Sequence, residues 1–457
     1  MGFDVLPARD HNLFKVNMWH MKKTSLIRII FPVLLVAVCF AGASAARIYL
    51  DIDSPGFEKF PLAIADFRQQ GGETAPADLS LWFPNEVGRY LAMTDYFQIK
   101  DRRAFLEPAA VSATDPFKIE YPDWTTIGVD YLVKGVFTRR GTVFSAEMRV
   151  FDTVRAEEVT RKTYQGTLEG KTVLAKAMAN DILFVLTGTA GLFDSKMTFT
   201  QKTPQGAEIY AVSFDASAPV KMTSEYALVV APHWSPDGRY LSYTSYRSGT
   251  QAIYIKDMQQ KMTRRVTPYP GMNLAGPWSP DGRKMLLTLS KDGNEEIYSL
   301  EIATGKLTRI TRHFAIDVSP TWSPDGKQIA FVSNRSGSPQ IYVMNEDGSG
   351  TRRITDEGGY NTSPVWSPRG DRIAYESRTG GGFQVFTVNA QGEDVQVVTS
   401  AGKGVHEKPA WSPDGRYLAV ISRQGGRHRV MVIPVNGSNP RKVYETNRKC
   451  NGLTWSR

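Results

Sequence analysis

A chain of 457 residues has room for two or three domains, and with 41% hydrophobic and 22% charged residues it is too polar for a multi-span membrane protein. Its two cysteines, Cys39 and Cys450, exclude a disulfide framework and a cysteine-built zinc site. The formal charge of +9 admits an anionic partner, but no Lys/Arg run exceeds three, so nucleic acid is not expected.

The first predicted element is an export signal. Residues 21–46 read MKKTSLIRIIFPVLLVAVCFAGASAA. Lys22, Lys23 and Arg28 form a basic start, Ile29–Phe40 an apolar stretch, and Ala43, Ser44 and Ala45 a small-x-small cleavage site. The apolar stretch is shorter than a membrane-crossing helix needs. Val38 is too large to precede a lipid-bearing cysteine, which argues against Cys39 as a lipoprotein site. Residues 1–46 are therefore expected to be cleaved, with the true start at Met18 or Met21 and a mature, exported, soluble chain beginning near Ala46 or Arg47.

Residues 47–192 carry no repeat and read as an α/β N-terminal domain. RIYLDI (47–52) and FPLAIADF (60–67) predict strands, 78–97 a helix with an internal Pro84, and QIKDR a short strand. An antiparallel meander is expected between 129 and 167. The segment 171–188 predicts an amphipathic helix with Val173, Leu174, Ala177, Met178, Ile182, Val185 and Leu186 on one face and Gly188 as its stop.

From 193 to 457 the chain is periodic. WSPDG occurs at 234–238, 278–282, 322–326 and 411–415, WSPRG at 366–370, and the chain ends in WSR at 455–457. Successive tryptophans are 44, 44, 44, 45 and 44 residues apart. Within one unit, 320–355, PTWS, QIAFVS, QIYVMN and RRIT alternate as short strands separated by turns, which is one propeller blade. Three strands at 196–223 have no tryptophan strand before them, and GLTWSR at the C-terminus has none after it. Joining the two closes an all-β six-bladed β-propeller of WSPDG-type repeats and leaves no open sheet edge.

The pairing of Ser with Asp in WSPDG invites a catalytic reading, but a motif present in every blade is unlike a single active site. Pro presets φ, Asp bonds its own backbone and Gly accepts positive φ. The motif therefore reads as a turn. These turns share one face, and the blade-to-blade loops share the other, around the channel mouth. Those loops vary while the frame does not, which is where binding concentrates. They hold Tyr226, Met272, Asn273, His313, Tyr360, Asn361, His406, Glu407, Arg448 and Lys449. Two rival readings remain open. One is a periplasmic propeller enzyme, for which His406 and Glu407 would be the best isolated metal candidates, although no paired ligand spacing and no G-x-S-x-G elbow are present. The other is a peptidoglycan- or carbohydrate-binding ring.

An export signal, an α/β domain and a WSPDG ring ending in TWSR together resemble the TolB family of the Gram-negative Tol-Pal system. VDYLVKGVF and LTGTAGLFDSKMTF are the most telling stretches. The resemblance implies a periplasmic, non-catalytic, monomeric scaffold with no cofactor or metal, peripheral to the membranes. It would bind the peptidoglycan-associated lipoprotein Pal across the channel mouth and the inner-membrane protein TolA through its N-terminal region, for envelope integrity and division. In the loop GMNLAGP, Asn273 and Ala275 fit the family pattern at the Pal contact. Met272 stands where a His is common, and Val318 where a small polar residue is common. The mature N-terminus, Arg47, Ile48, Tyr49, Leu50 and Asp51, is β-prone. It is expected either to add to a partner's sheet edge or to be the first strand of the domain.

Overall fold

A computed structural model describes residues 58–76, 78–106, 115–189, 191–400, 402, 404–436 and 439–456. The expected export signal and the N-terminal residues Arg47–Asp51 lie outside the described residues.

The first sheet is built around β1 (Phe60–Ile64), whose last three residues are buried. It runs parallel to β3 (Phe97–Ile99) on one side and β4 (Tyr131–Arg140) on the other. β5 (Val143–Asp152) and β6 (Glu157–Thr167) continue from β4 as the antiparallel meander expected from the sequence, in the order β3-β1-β4-β5-β6. β2 (Arg68–Gly72) pairs with the far end of β4. In β5, Phe144, Ala146, Met148 and Val150 are fully buried in alternation, the period-2 pattern of a strand with one covered face.

Two helices cover that face, α1 (Leu79–Ala92) and α3 (Lys171–Thr187). Pro84 lies inside α1 and has no N–H to give to the carbonyl of Ser80. The Phe67 N–H takes that carbonyl instead, at 3.0 Å. The proline thus frees an acceptor that ties the helix to the loop after β1. α3 ends at Gly188, with φ +70° and its N–H on the Phe184 carbonyl at 2.8 Å, a left-handed cap that glycine adopts without strain. The buried stripe of α3 is rotated from the expected one. Ala175, Ala179 and Leu183 are buried, while Val173 is 66% exposed. A short helix that the sequence reading passed over, α2 (Tyr121–Thr126), buries Trp124 against Leu132 and Phe151 on the other face of the sheet.

The periodic half forms six four-stranded antiparallel sheets. Numbered around the ring, blades I to VI have inner strands Cys450–Trp455, Val229–Trp234, Asn273–Trp278, Asp317–Trp322, Asn361–Trp366 and Val405–Trp411. Blade I takes its inner strand from the C-terminus and the other three from Lys196–Thr203, Gly206–Ser213 and Val220–Lys221. Trp455 opposes Met197 and Cys450 opposes Gln201 across the clasp. Every inner strand carries a bulge, at 230/233, 275/278, 318/321, 362/365, 407/410 and 451/454. Ala231, Ser319, Ser363 and Lys408 stand there at φ of 50–55°, each followed by a proline. A bulge is where a strand accommodates proline and bends.

Three of the tryptophans bond across blade boundaries. Trp234 Nε1 donates to Thr198 Oγ1 at 2.7 Å, Trp278 Nε1 to Ser242 Oγ at 3.0 Å, and Trp411 Nε1 to the Val365 carbonyl at 2.9 Å. In each case the acceptor belongs to the preceding blade. The α/β domain and blades I and VI share one apolar core that includes Leu186, Phe193, Phe214, Tyr417 and Trp455. Polar clips reinforce this contact. Tyr417 donates to the Thr94 carbonyl at 2.5 Å, and Lys176 Nζ meets Asp215 Oδ2 at 2.9 Å.

Candidate partner-binding face at the channel mouth

The repeated turn comes first, because it could have held the chemistry. The serine hydroxyl lies 2.5 Å from the aspartate in Ser235–Asp237 and Ser279–Asp281, and 2.6 Å in Ser323–Asp325. The same Oγ accepts the backbone N–H of Tyr240, Lys284 and Gln328 at 2.8–2.9 Å. Each aspartate also accepts the N–H two residues on, at 3.0–3.1 Å. The hydroxyl hydrogen bond, followed by that N–H, holds Asp237, Asp281 and Asp325 below the usual carboxylate range. The serine proton is therefore committed to a turn clip. Among the described residues, no histidine bonds to these serines. Blade V makes the turn without a carboxylate, through the Arg369 N–H on Ser367 Oγ at 3.2 Å. In blade VI, Asp414 is half-buried, and desolvation raises its pKa despite the Ser412 bond. The α/β domain covers the turn face at blades VI and I, since Thr94, Asp95 and Thr189 meet Tyr417, Asn439 and Arg416.

The inner strands enclose a channel of about 530 Å³, lined by their prolines and small residues together with His233 and Lys408. Lys408 Nζ bonds Ser363 Oγ at 3.0 Å and approaches Glu376 Oε1 at 3.3 Å. His233 is half-buried on the channel wall, and desolvation there pushes its pKa down to about 4, against a bond with the Ala275 backbone that favours the charged form. The imidazole is therefore neutral at physiological pH. Among the described residues, no group of three His, Cys, Asp or Glu side chains is placed to hold a metal ion.

A buried belt anchors the blade-to-blade loops at the mouth. Thr223, Thr311, Thr355 and Thr399 accept the N–H of Ile209, Ile297, Ile341 and Val385 at 2.9–3.0 Å. They donate in turn to Glu208, Glu296, Gln340 and Gln384. Those side chains then reach the loops. Glu208 accepts the Tyr226 N–H at 3.0 Å and Glu296 the His313 N–H at 2.8 Å. Gln340 and Gln384 donate to the carbonyls of Gly358 and Gly404 at 2.9 Å. Four of the six loops are thus held by a buried side chain of the preceding blade.

The residues expected at the mouth divide into two groups. Tyr226 is 72% exposed, Tyr360 39%, and Arg448 and Lys449 are exposed. Met272, His313, Val318 and Glu407 are half-buried. Glu407 pairs with Arg423 at 2.6 Å, yet burial keeps its pKa raised. Asn273, Asn361, Ala275 and His406 are buried within inner strands, which corrects their expected place on open loops. The two asparagines organise the loops instead. Asn273 Nδ2 donates to the carbonyls of Tyr269 and Gly271 at 2.9 and 3.0 Å, and Asn361 Nδ2 to Gln340 and Glu357 at 2.7 Å. The most exposed apolar side chain on this face went unremarked in the sequence. Phe314 is 89% exposed, with Ile316 at 42% two residues on. Its ring leans on His313 at 4.3 Å. The available cue was an apolar run, HFAI, in a loop where polar residues are usual.

The comparisons agree with this architecture. Residues 184–457 match the TolB beta propeller domain and residues 48–159 the TolB amino-terminal domain. The Tol-Pal system protein TolB of Syntrophus aciditrophicus is 43% identical over 228 residues, 49% of this chain and 50% of that protein. That of Desulfosudis oleivorans is 35% identical over 255 residues, 56% of this chain and 57% of that protein. The chain thus spans about half the length of the curated relatives it matches. The crystal structure of TolB from Acinetobacter baumannii superposes with a TM-score of 0.75 at 23% identity, over 87% of this chain and 97% of that one, a likeness of fold. With its propeller matching over more than half its length and its first domain matching separately, the chain belongs to the TolB family.

Proposed function

We propose that this chain is a non-catalytic periplasmic scaffold of the Tol-Pal envelope system. The channel mouth binds a Pal-like, peptidoglycan-associated lipoprotein. The N-terminal region, with Arg47–Asp51, engages a TolA-like inner-membrane protein. The complex supports outer-membrane integrity and division. The observation that carries this reading is the set of bare apolar side chains at the mouth. Tyr226, Phe314 and Ile316 are exposed on loops whose backbones are tied to buried glutamates. Exposed aromatic residues on a pre-ordered frame suit a protein interface. The relatives' membership of the Tol-Pal system supports the choice of partner. The commitment of every WSPDG serine to a turn supports the absence of catalysis there.

Titration calorimetry of the chain with the soluble domain of the Pal-like lipoprotein from the same organism tests this. Saturable one-to-one binding that Phe314→Ser weakens is the expected result. No binding to that domain, with binding to peptidoglycan fragments instead, would overturn it.

A further inference from the structure

Exposed basic side chains gather on one side of the mouth. Strand ends and loops of blades V, VI and I bring Lys202, Arg378, Arg423, Arg427, Arg448 and Lys449 to this face. Arg423 pairs with Glu407, and Arg427 pairs with Glu445 at 2.7 Å, but Glu445 is already shared with Arg429 and Lys442. Among the described residues, no carboxylate pairs with the side chains of Lys202, Arg378, Arg448 or Lys449. His428 lies within this arc and reports its field. Burial lowers its pKa, and the charges of Arg423 and Lys449 lower it further. On the other side of the mouth Arg247, Lys291 and Arg335 each pair with a carboxylate, and Arg312 is exposed. Phe314 and Ile316 stand there beside Arg312, and the exposed acidic pair Asp356 and Glu357 lies on the loop into blade V, at the edge of the basic arc. Asp356 is 89% exposed despite its 3.7 Å approach to Arg353.

We propose that the basic arc of blades V, VI and I seats an acidic segment of the protein that binds the mouth, while Phe314 and Ile316 take that protein's hydrophobic contact. This rests on the partner-binding reading above and adds the chemistry and orientation of the partner. A folded protein can match a basic arc bordered by an acidic pair. A uniformly anionic membrane would be repelled by Asp356 and Glu357 as it approached the basic arc. The acidic pair at its edge therefore favours a protein over a lipid surface, and the one-sided basic arc fixes the rotation of the partner about the channel axis.

The test uses the whole mature chain and the soluble domain of the Pal-like lipoprotein, with affinity measured between about 50 and 300 mM NaCl. Wild type should lose affinity roughly tenfold across that range. Arg448→Glu with Lys449→Glu should weaken binding roughly tenfold at low salt and flatten the salt dependence. Arg448→Gln with Lys449→Gln should fall between the two. Asp356→Lys with Glu357→Lys, at the edge of the basic arc, should not weaken binding. All the substituted side chains are exposed, and unchanged thermal midpoints confirm that the variants fold. Salt-independent binding untouched by the reversals would overturn the proposal and leave the partner reading standing. No binding by wild type would overturn both. Sedimentation with phosphatidylglycerol vesicles that the same reversal abolishes would replace the protein partner by a membrane.

Discussion

Ring closure predicts a large and local effect of Trp455. Its side chain is 8% exposed within the core shared by the α/β domain and blades I and VI, with the Phe214 ring 6.2 Å away. Its Nε1 donates to Ser195 Oγ at 2.8 Å, and that hydroxyl also donates to the Leu192 carbonyl at 2.6 Å. Trp455→Ala removes the ring and leaves a cavity where clasp and domain meet, a loss of about 3–5 kcal/mol. The lost hydrogen bond adds about 1 kcal/mol, and Ser195 keeps a partner, so no orphaned group enlarges the penalty. At a urea dependence of about 3 kcal/mol/M, the unfolding midpoint should fall by more than about 1 M. Trp455→Phe keeps most of the apolar contact and should cost about 1–2 kcal/mol. Trp234→Ala is the control, because that ring is only half-buried and lines the channel. Near-UV circular dichroism in urea follows all three. A Trp455→Ala midpoint no lower than that of Trp234→Ala would refute closure by the C-terminal strand as a main source of stability.

Further expectations concern the turn clip, the channel and the domain contact. Ser279→Ala removes the acceptor for the Lys284 N–H and the donor to Asp281. It should cost about 1–2 kcal/mol in denaturant without altering partner affinity; loss of affinity alone would return WSPDG to function. The His233 ring should stay neutral from pH 8 to 5 in an NMR titration, with a midpoint near 4. Because the folded pKa lies below the unfolded one, this group withdraws stability as pH falls below the unfolded value. A midpoint above 6 would contradict its desolvation on the channel wall. Burial raises the Asp215 pKa, but Lys176 and Ser217 outweigh it and hold it below the usual range. Its contribution is therefore present above the unfolded carboxylate pKa and lost as pH falls through the folded one. Lys176→Met should destabilise by about 2–4 kcal/mol at pH 7, and the gap from wild type should close on acidification as Asp215 is protonated. A gap independent of pH would exclude the ion pair as its source.

The ring was legible because its signal is repeated. Tryptophan spacing, turn chemistry and strand alternation all point to the same blade, and the unmatched ends identify the clasp. The same logic, applied one step further, would have sorted the mouth. Asn273, Asp317 and Asn361 recur at 44-residue intervals at the start of inner strands. Recurrence marks architecture there as surely as it does in WSPDG. Phe314 has no such echo, which is why its exposure is informative. α2 escaped because six residues with one buried tryptophan give no period to read. The phase of α3 was misjudged because Val173 and Ala175 are both acceptable on an apolar stripe, and only the neighbouring helix and sheet decide between them. The shared core of the two domains could not be read from a short link at 189–195, because it is made by residues far apart in sequence, such as Leu186 and Trp455.

Amide hydrogen exchange of the mature chain, with and without the soluble domain of the Pal-like lipoprotein, tests most directly that the non-repeating face is the working one. Protection should appear at 224–228, 312–316 and 446–449, with none at the turns 235–238, 279–282 and 323–326. Protection of those turns, with the mouth loops unchanged, would contradict it.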